Sequence, residues 1–315
     1  MPLLLNEADV KALLPMGELI DVMESALTAF SAGEVDQPVR SVVQIGSEKN
    51  YFGTMPASVP GAPAVGCKLV TVFNSNLARG LTSHLATIIL LDPETGALLA
   101  LLDGRFITEA RTAAVSAVSM RYLARDDARV LAIIGSGVQA HSHLEALSHV
   151  RQFDEVRVYS PTRANLERFC EQTGSQACAS VEEACSGADV VVTVTASREA
   201  VVRNAWIRDG AHVISVGACR PTHRELEGAL VARCSVYVDS RAAAMHEAGD
   251  ILLSIEEGLI TVEHIRGELG SRPKRAFADE CTMFKSLGMA VEDVATAHLV
   301  YRKAMDRGVG TRFSL

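Results

Sequence analysis

An apolar strand, a glycine turn and the start of a helix follow one another in Val130-Leu131-Ala132-Ile133-Ile134-Gly135-Ser136-Gly137-Val138-Gln139-Ala140. The turn has the pattern G-x-G-x-x-A. In such a turn the first glycine permits a tight bend, the second lets the backbone approach a pyrophosphate, and the small third residue lets the helix pack on the strand. The helix N-terminus then faces the anion. The stretch predicts a dinucleotide-binding βαβ unit, with a purely structural glycine turn as the alternative.

The chain beyond residue 130 alternates between strands and helices. Strands are predicted at 130–134, 156–159, 190–195, 212–216 and 236–238, and helices near 138–149, 162–172 and 225–231. Nearly continuous apolar strands separated by helices indicate a parallel sheet covered on both faces. We therefore expect an α/β fold with a doubly wound parallel sheet.

The first third of the chain predicts helices followed by an antiparallel or mixed sheet. Asn6 is placed to cap a first helix, and a second helix is expected to end near Gly33. Strands are predicted at 41–45, 50–54, 65–73, 84–91 and 97–102, with a Pro- and Gly-rich connection at 56–63. A helix from Ile107 to Ala124, capped by Thr108, comes next. A last amphipathic helix, about Met289 to Arg307, is expected to return to the first domain with no further strand.

The composition excludes several classes of protein. A length of 315 residues suggests about two domains. With 30 Lys plus Arg against 38 Asp plus Glu, the formal charge of −8 gives no electrostatic footprint for nucleic acid. No apolar run approaches the ~20 residues that span a bilayer and no leader is evident, so we expect a cytoplasmic protein without a membrane partner. Seven scattered cysteines without a C-x-x-C pair argue against disulfides and zinc, and we predict no metal site.

The residues after the second strand of the βαβ unit bear on the choice of cofactor. NAD-binding enzymes usually place Asp or Glu there, to hold the ribose 2′-hydroxyl. This chain has Tyr159-Ser160-Pro161-Thr162-Arg163, with no carboxylate. Two hydroxyls, an arginine and a helix N-terminus suit a 2′-phosphate better, so we expect NADP(H) to be preferred, with NAD(H) as the alternative. Arg163 as an ordinary solvated helix residue is the competing interpretation.

Three cations occupy positions that a fold alone does not favour. Arg111 falls in the first turn of the helix predicted to begin at Thr108, where the macrodipole disfavours positive charge. Lys68 lies in an apolar strand, so its ammonium must reach solvent or meet a carboxylate. Arg40 precedes a predicted strand. Each is compatible with a surface ion pair, but together they predict a clamp for a carboxylate.

His84 begins a predicted strand directly after Ser83. A buried structural histidine is one interpretation. The other places Ser83 and His84 beside the nicotinamide, where His84 acts as a proton relay or an amide contact.

These residues belong to a longer ordered set of motifs. The chain resembles the ornithine cyclodeaminase/mu-crystallin family in segments that occur in the family's order: Gln37-Pro38-Val39-Arg40, Gly53-Thr54-Met55-Pro56-Ala57, Lys68-Leu69-Val70, Ser83-His84, Arg111-Thr112-Ala113-Ala114, Gly135 to Ala140, Gly217-Ala218-Cys219-Arg220-Pro221 and Phe284 to Asp293. The resemblance covers essentially the whole chain. It implies a homodimer with a Rossmann-type NAD(P)-binding domain at 119–295. It also implies an α+β substrate-binding and dimerisation domain at 1–118, which helix 296–315 joins.

The resemblance also implies roles for individual residues. Lys68, Arg111, His84 and Cys219 are the candidate catalytic residues, and Arg40, Met55, Lys68 and Arg111 the candidate substrate contacts. The candidate cofactor contacts lie along the glycine turn and at the ends of the neighbouring strands: Ser83, His84, Thr112, Gly135, Gly137, Val138, Gln139, Ser160, Thr162, Arg163, Thr193, Thr195, Val216 and Gly217.

Two positions distinguish the activities found in this family. Ornithine cyclodeaminases carry an aspartate where this chain has Cys219, and a glutamate where it has Gly53. Mu-crystallin-like ketimine reductases, which favour NADPH, are similar to this chain around both positions. The resemblance therefore implies reduction of a cyclic ketimine carboxylate, 1-pyrroline-2-carboxylate or 1-piperideine-2-carboxylate, to the cyclic amino acid. Lys68, His84 and a bound water remain open as the proton donor. Ornithine cyclodeamination, 3-hydroxyproline dehydration and non-enzymatic binding of a small ligand are the alternatives.

Overall fold

The structure is a computed structural model that describes residues 1–46, 50–59 and 63–314. The chain divides into two compact units. Unit 1 contains Met1–Thr112 and Gly288–Leu315, and unit 2 contains Ala113–Leu287. The borders expected from the sequence, 118/119 and 295/296, differ from these. The first falls inside the helix at 105–123, which has residues in both units, and the second falls inside the helix at 290–307, which belongs to unit 1. Among the described residues, no helix combines the length and the apolar character that crossing a membrane requires.

The regular elements are numbered in chain order. The helices are α1 (Glu7–Leu13), α2 (Met16–Ser31), α3 (Arg105–Leu123), α4 (Val138–Val150), α5 (Arg163–Thr173), α6 (Val181–Cys185), α7 (Gly228–Arg233), α8 (Arg241–Glu247), α9 (Gly249–Glu256) and α10 (Ala290–Arg307). The strands are β1 (Leu3–Leu5), β2 (Ser41–Ile45), β3 (Asn50–Val59), β4 (Ala64–Val72), β5 (His84–Leu91), β6 (Leu98–Asp103), β7 (Val130–Ile134), β8 (Glu155–Tyr159), β9 (Gln176–Ala177), β10 (Val190–Thr193), β11 (His212–Ser215), β12 (Ser235–Val238), β13 (Ile265–Glu268), β14 (Thr282–Lys285) and β15 (Thr311–Arg312). Short 3-10 turns lie at Asn74–Arg79, Asn204–Trp206, Val262–His264 and Leu269–Ser271.

Unit 1 is a mixed sheet with helices packed against it. The strand order is β15-β1-β6-β5-β4-β3-β2, antiparallel except for the β1–β6 pair. Helix α10 packs on β3, β4 and β5 as well as on α2. At Gly66 on β4 an added Cβ would lie 2.6 Å from the Ile89 carbonyl oxygen and 3.3 Å from a Val294 methyl group. A side chain there would push the start of α10 away from the sheet.

Two of the sequence predictions about the strands of unit 1 are wrong. The segment expected to be a connection from residue 56 continues β3 as far as Val59, while residues 60–62 of that prediction lie outside the described residues. Pro56 is tolerated because the pairing of β3 with β2 stops at Thr54, so the missing N–H falls beyond the ladder. A strand also follows the last helix: β15 pairs with β1, and both were too short for their pattern to be recognised.

The start of α3 differs from its prediction. The helix begins at Arg105, because Asp103 Oδ1 accepts a hydrogen bond from the Phe106 N–H at 3.0 Å. Thr108 is not the cap; its hydroxyl donates to the Gly104 carbonyl at 2.7 Å. Arg111 therefore lies in the second turn, and the macrodipole argument for an anion beside it does not hold.

Unit 2 is a fully parallel sheet in the order β13-β12-β14-β11-β10-β7-β8-β9. The five strands predicted from periodicity are present, and the α/β, doubly wound fold class is confirmed. From β7 the chain moves outward to β8 and β9, and then returns to the other side of β7 for β10. Such a switch in direction opens a crevice at the carboxyl ends of β7 and β10, where ligands of this fold class bind.

Candidate active site

The glycine turn lies at that crevice in unit 2. Gly135 has φ +121°, and an added Cβ would lie 2.8 Å from the Val194 carbonyl oxygen, so only glycine fits. Gly137 is the N-cap of α4 and supplies no side-chain cap, and an added Cβ there would meet nothing within 4 Å. The N-terminus of α4 is thus uncapped beside open space, as a pyrophosphate requires.

The first turn of α4 contains a second feature that fits a bound nucleotide. Gln139 Oε1 is buried and has no hydrogen-bond partner among the described residues. Val138 is exposed beside it, whereas Ala140 is fully buried against the sheet. A buried acceptor without a donor is costly, and a ligand hydroxyl or amide would satisfy it. These observations on the chain itself fit a dinucleotide.

The end of β8 carries no acidic side chain between Tyr159 and Arg163. Thr162 is the N-cap of α5, but its hydroxyl accepts no backbone N–H. Arg163 is exposed, and its Nε donates to Glu167 Oε1 at 2.7 Å. This ion pair agrees with the interpretation of Arg163 as a surface helix residue, and its role toward a 2′-phosphate stays a prediction.

A buried glutamate that the sequence analysis missed holds the turns after β10 and β11. Glu225 Oε1 accepts from the Thr195 N–H at 2.6 Å, and Oε2 accepts from the Gly217 N–H at 2.7 Å and from the Thr193 hydroxyl at 2.9 Å. An added Cβ at Gly217 would lie 1.9 Å from the Thr195 carbonyl oxygen. The predicted cofactor contacts Thr193, Thr195 and Gly217 are therefore held at one place by a single carboxylate.

A buried ion pair supports Glu225. Lys285 Nζ lies 3.0 Å from Asp250 Oδ2, and Asp250 Oδ1 accepts the Glu225 N–H at 2.8 Å. Burial raises the pKa of Glu225 above its ordinary value, against the attraction of Lys285. Burial alone would lower the pKa of Lys285, but Asp250 and other acidic groups outweigh it and raise that pKa. This buried network makes the turns after β10 and β11, at the crevice, rigid.

Cys219 follows the turn at Gly217 in unit 2. Its thiol is exposed and donates to the Val216 carbonyl oxygen at 3.3 Å. Ser286, which follows β14, is buried, and its hydroxyl has no hydrogen-bond partner among the described residues. The Cys219 thiol also lies 3.9 Å from the Ser286 carbonyl oxygen, so these two residues are neighbours at this end of the sheet.

In unit 1 the predicted cations are brought together by acidic residues of the last helix. Lys68 Nζ lies 2.6 Å from Asp293 Oδ2, and Arg111 Nε donates to Asp293 Oδ1 at 3.1 Å. Arg111 also donates through NH1 to Glu292 Oε2 at 2.7 Å. Lys68 is 2% exposed, and Asp293 is 0% exposed. We name Lys68, Arg111, Arg40, Glu292 and Asp293 the cation–carboxylate cluster.

Arg40 and Arg111 meet at Gly288, one residue before the N-cap of α10. Arg40 NH2 donates to the Gly288 carbonyl at 2.8 Å. Gly288 has φ +82°, and an added Cβ would lie 2.4 to 2.9 Å from the guanidinium of Arg111. Gln37 Oε1 accepts the Val291 N–H at 2.8 Å and so fixes the first turn of α10. The predicted substrate contact Met55 is buried and is paired with Lys68 in the sheet.

The ionisation of the cluster follows from its burial. Burial lowers the pKa of Lys68 to about 8, with Asp293 opposing the shift and Arg111 adding to it. Burial alone would raise the pKa of Asp293, but Lys68 and Arg111 outweigh it and hold that pKa below its ordinary value. Burial, followed by the charges of Lys68 and Arg111, lowers the pKa of His84 to about 4. At neutral pH Lys68 is a cation and His84 is neutral.

The remaining predicted residues of unit 1 have structural contacts. Ser83 accepts the Phe73 N–H through its carbonyl oxygen at 2.8 Å. Thr112 is buried, and its hydroxyl donates to the Thr108 carbonyl at 2.7 Å. Their roles toward a nicotinamide stay predictions. Within the described ranges, no group of three or more His, Cys, Asp or Glu side chains is arranged to hold a metal ion.

The two acidic residues of α10, like Glu225, are functional candidates that sequence reasoning missed. The sequence predicted that Lys68 either reaches solvent or meets a carboxylate, but it did not identify the residue that Lys68 meets. The signal was present as adjacent acids, Glu292 and Asp293, in the first turn of an otherwise apolar helix start. Acids stabilise a helix N-terminus on their own account, so the pattern did not single them out.

The parallel sheet with its glycine turn defines the class as a dinucleotide-binding α/β protein. The chain belongs to the ornithine cyclodeaminase/mu-crystallin family, whose model matches residues 1–308. This confirms the family resemblance found in the sequence.

The proteins similar to this chain include a ketimine reductase and Delta(1)-pyrroline-2-carboxylate reductases. Ketimine reductase mu-crystallin of Rattus norvegicus is 44% identical over 288 residues, 90% of this chain and 91% of the relative. A Delta(1)-pyrroline-2-carboxylate reductase of Bacillus cereus is 36% identical over 322 residues, 98% of this chain and 99% of the relative. The structure of the Thermococcus litoralis Delta(1)-pyrroline-2-carboxylate reductase with NADH and L-proline has a TM-score of 0.94 and 37% identity. The match covers 99% of this chain and 100% of that one.

The contact between Gly288 and Arg111 gives a test of the cluster's packing. We expect Gly288→Ala to lower the free energy of unfolding by about 1–3 kcal/mol more than Gly308→Ala, measured by urea unfolding. Both glycines have positive φ, +82° and +66°, but an added Cβ at Gly308 meets nothing within 4 Å. The backbone strain is therefore matched, and the difference isolates the displacement of the buried guanidinium. Equal losses for the two variants would contradict this packing.

Proposed function

We propose that the protein catalyses NAD(P)H-dependent reduction of a cyclic ketimine carboxylate, such as 1-pyrroline-2-carboxylate or 1-piperideine-2-carboxylate, to the cyclic amino acid. The observation that carries the proposal is the buried pair of cations, Lys68 and Arg111, joined through Asp293. The names of the relatives, a ketimine reductase and pyrroline-2-carboxylate reductases, support the same reaction. Unit 1 holds the anionic substrate, and unit 2 holds the cofactor.

The cofactor is held by the glycine turn and the ends of the parallel strands. Gly135 and Gly137 give the pyrophosphate access to the N-terminus of α4, and Gln139 offers the buried acceptor described above. Ser160, Thr162 and Arg163 would hold the 2′-phosphate of NADP(H), and the absence of an acidic residue among them supports a preference for NADP(H) over NAD(H). When bound, the reduced nicotinamide supplies the hydride.

The charges of the cluster suit one substrate carboxylate. Three cations and two carboxylates leave one positive charge when all five are ionised. A carboxylate bound beside Lys68 and Arg111 balances that charge in a region shielded from water. The planar guanidinium of Arg111 can present two donors to it and so fix the plane of the ring, which orients the imine for attack.

Lys68 is the proposed proton donor to the imine nitrogen. A pKa of about 8 keeps Lys68 protonated at neutral pH and makes it a better acid than an ordinary lysine. The lowered pKa of His84, about 4, leaves that ring neutral under the same conditions. Of the donors that the sequence left open, Lys68 therefore has the charge and the acidity that the step needs.

The structure around Gly53 argues against ornithine cyclodeamination. An added Cβ at Gly53 would already lie 3.1 Å from a Val70 methyl group, so an acidic side chain there would require the Val70 side chain to shift. Cys219 stands where the cyclodeaminases carry an aspartate, and a thiol bonded to a backbone carbonyl does not replace a carboxylate base. Both positions favour the reductase over the cyclodeaminase.

The reaction is tested by following NADPH oxidation with the two cyclic imino acids. Lys68→Met is expected to lower kcat by about 100-fold or more, because it removes the acid. Arg111→Lys is expected to raise KM by about 10- to 100-fold with a smaller change in kcat, because it keeps the charge but loses the fork. In the unaltered protein kcat/KM should fall as pH rises through about 8, where Lys68 loses its proton.

Parallel incubations separate the alternatives. Ammonium release from ornithine at catalytic rates would replace the proposal with cyclodeamination. Loss of water from 3-hydroxyproline without cofactor would replace it with dehydration. Absence of turnover with every substrate, together with tight binding of a small ligand, would indicate a non-enzymatic role.

The preference for NADP(H) is tested at Arg163. Arg163→Ala is expected to raise KM for NADPH by about 3- to 10-fold and to leave KM for NADH unchanged, because an exposed charge to a 2′-phosphate is lost. Arg168→Ala is the control, since Arg168 is on the same helix and contacts Asn165. An equal effect of Arg163→Ala on both cofactors would contradict the preference.

A homodimer is proposed from the outer strand of unit 1. All of β2 is exposed although it carries apolar side chains, with Val42 at 52% and Val43 at 57%. An apolar strand at the edge of a sheet is a ready surface for a second chain. Val43→Lys is expected to convert the dimer to monomer in light scattering after size exclusion, whereas Leu259→Lys, at a similarly exposed position in unit 2, should leave it intact. A Val43→Lys variant that stays dimeric would locate the interface elsewhere.

A further inference from the structure

Asp293 is the acid that both buried cations share. Its Oδ2 is 2.6 Å from Lys68 Nζ, and its Oδ1 accepts from Arg111 Nε at 3.1 Å. All three side chains are almost completely shielded from water. The positions of the ammonium and the guanidinium relative to each other are thus set by the two oxygens of one carboxylate.

Glu292 does not duplicate this role. Its Oε2 binds Arg111 NH1 at 2.7 Å, and no such contact joins it to Lys68 among the described hydrogen bonds and ion pairs. The further polar contact of Lys68 is the Thr108 hydroxyl at 3.4 Å, which is neutral. Without Asp293, Lys68 would be buried beside other cations, and a hydroxyl would be its polar contact.

We propose that Asp293 is a positioning residue: it fixes Lys68 beside Arg111 and keeps Lys68 protonated, so that the two cations bind one carboxylate and Lys68 can release a proton. The second half of this role rests on the function proposed above. In that step an N–H bond of the Lys68 ammonium breaks and a new N–H bond forms at the imine nitrogen. A bound NAD(P)H would supply the hydride to the imine carbon and be oxidised to NAD(P)+, and the neutral amine of Lys68 would regain its proton from water.

Several charged groups around Lys68 affect its pKa. Burial and the positive charges of Arg111 and Arg40 favour the neutral amine, and Asp293 favours the ammonium. The pKa of about 8 is the balance of these effects. The titratable and charged groups around the cluster are Arg40, Cys67, His84, Arg111, Glu292 and Asp293.

The test is a direct titration of Lys68 in the full-length protein. The chain contains only six lysines, so NMR of protein labelled at lysine Cε resolves few signals, and Lys68→Arg assigns one of them. In the unaltered protein this signal should titrate at about pH 8. In Asp293→Asn, which keeps the shape and removes the charge, the midpoint should fall by about 1–3 pH units. In Glu292→Gln it should stay near its original value, because Glu292 acts on Arg111.

A binding measurement gives the functional counterpart without turnover. Affinity for pyrrole-2-carboxylate, measured by calorimetry from pH 6 to 9 in steps, should weaken above about pH 8 in the unaltered protein. In Asp293→Asn the weakening should begin at the lower pH found for its Lys68. If the role of Asp293 were purely structural, Asp293→Asn would lower the affinity by the same factor at every pH.

The outcomes separate this inference from the proposed reaction. An unchanged Lys68 midpoint in Asp293→Asn would overturn the inference even if ketimines are reduced. A shifted midpoint without reduction of any ketimine would uphold the role of Asp293 and reject the reaction. If Asp293→Asn does not fold, Lys68→Met/Asp293→Asn should fold, because it removes Lys68 together with its carboxylate and leaves Arg111 paired with Glu292. Failure of the double variant to fold would place the need for Asp293 elsewhere and overturn the inference.

Discussion

Asp293 lies between Lys68 and Arg111 with both of its oxygens engaged, where all three side chains are almost completely shielded from water. Removing one partner from such a group costs about 3–5 kcal/mol, whereas apolar replacements of the whole group are often tolerated. Stability alone therefore gives little reason to bury these charges. A reason appears once a further anion is considered, because the cluster has one more cation than it has carboxylates.

The cluster depends on the complete fold of unit 1. Lys68 is on β4, Arg111 is in the second turn of α3, and Asp293 is in the first turn of α10. These elements meet because α10 packs on the sheet, which requires glycine at position 66. A segment from the end of the chain thus completes a site whose cations come from the first third.

Unit 2 uses a buried carboxylate for a different purpose. Glu225 binds the backbone N–H groups of Thr195 and Gly217 and so shapes two turns at the carboxyl edge of the sheet. The ion pair between Lys285 and Asp250 supports this carboxylate, because Asp250 also accepts a hydrogen bond from the Glu225 N–H. In unit 1 the Asp293 carboxylate binds cations and affects their protonation. In unit 2 the Glu225 carboxylate binds backbone N–H groups and fixes their positions.

The sequence predicted the features that depend on neighbours along the chain and missed those that depend on distant residues. The glycine turn and the central strands have a local cause, in apolar periodicity and in the backbone freedom of Gly135, and they were found. Strands β9 and β15 have two residues each, too few for a period to be recognised. Thr108 was chosen as a cap because its type is suitable, but Asp103 lies where the backbone needs the acceptor.

The partner of Lys68 is 225 positions further along the chain, and nothing in the sequence around either residue identifies the other. Chemistry that depends on charge balance, including which group gives up a proton, becomes evident only when such pairs are known. Burial lowers the pKa of both Lys68 and His84, and the Asp293 carboxylate opposes that shift at the lysine, which is charged at neutral pH while His84 is neutral.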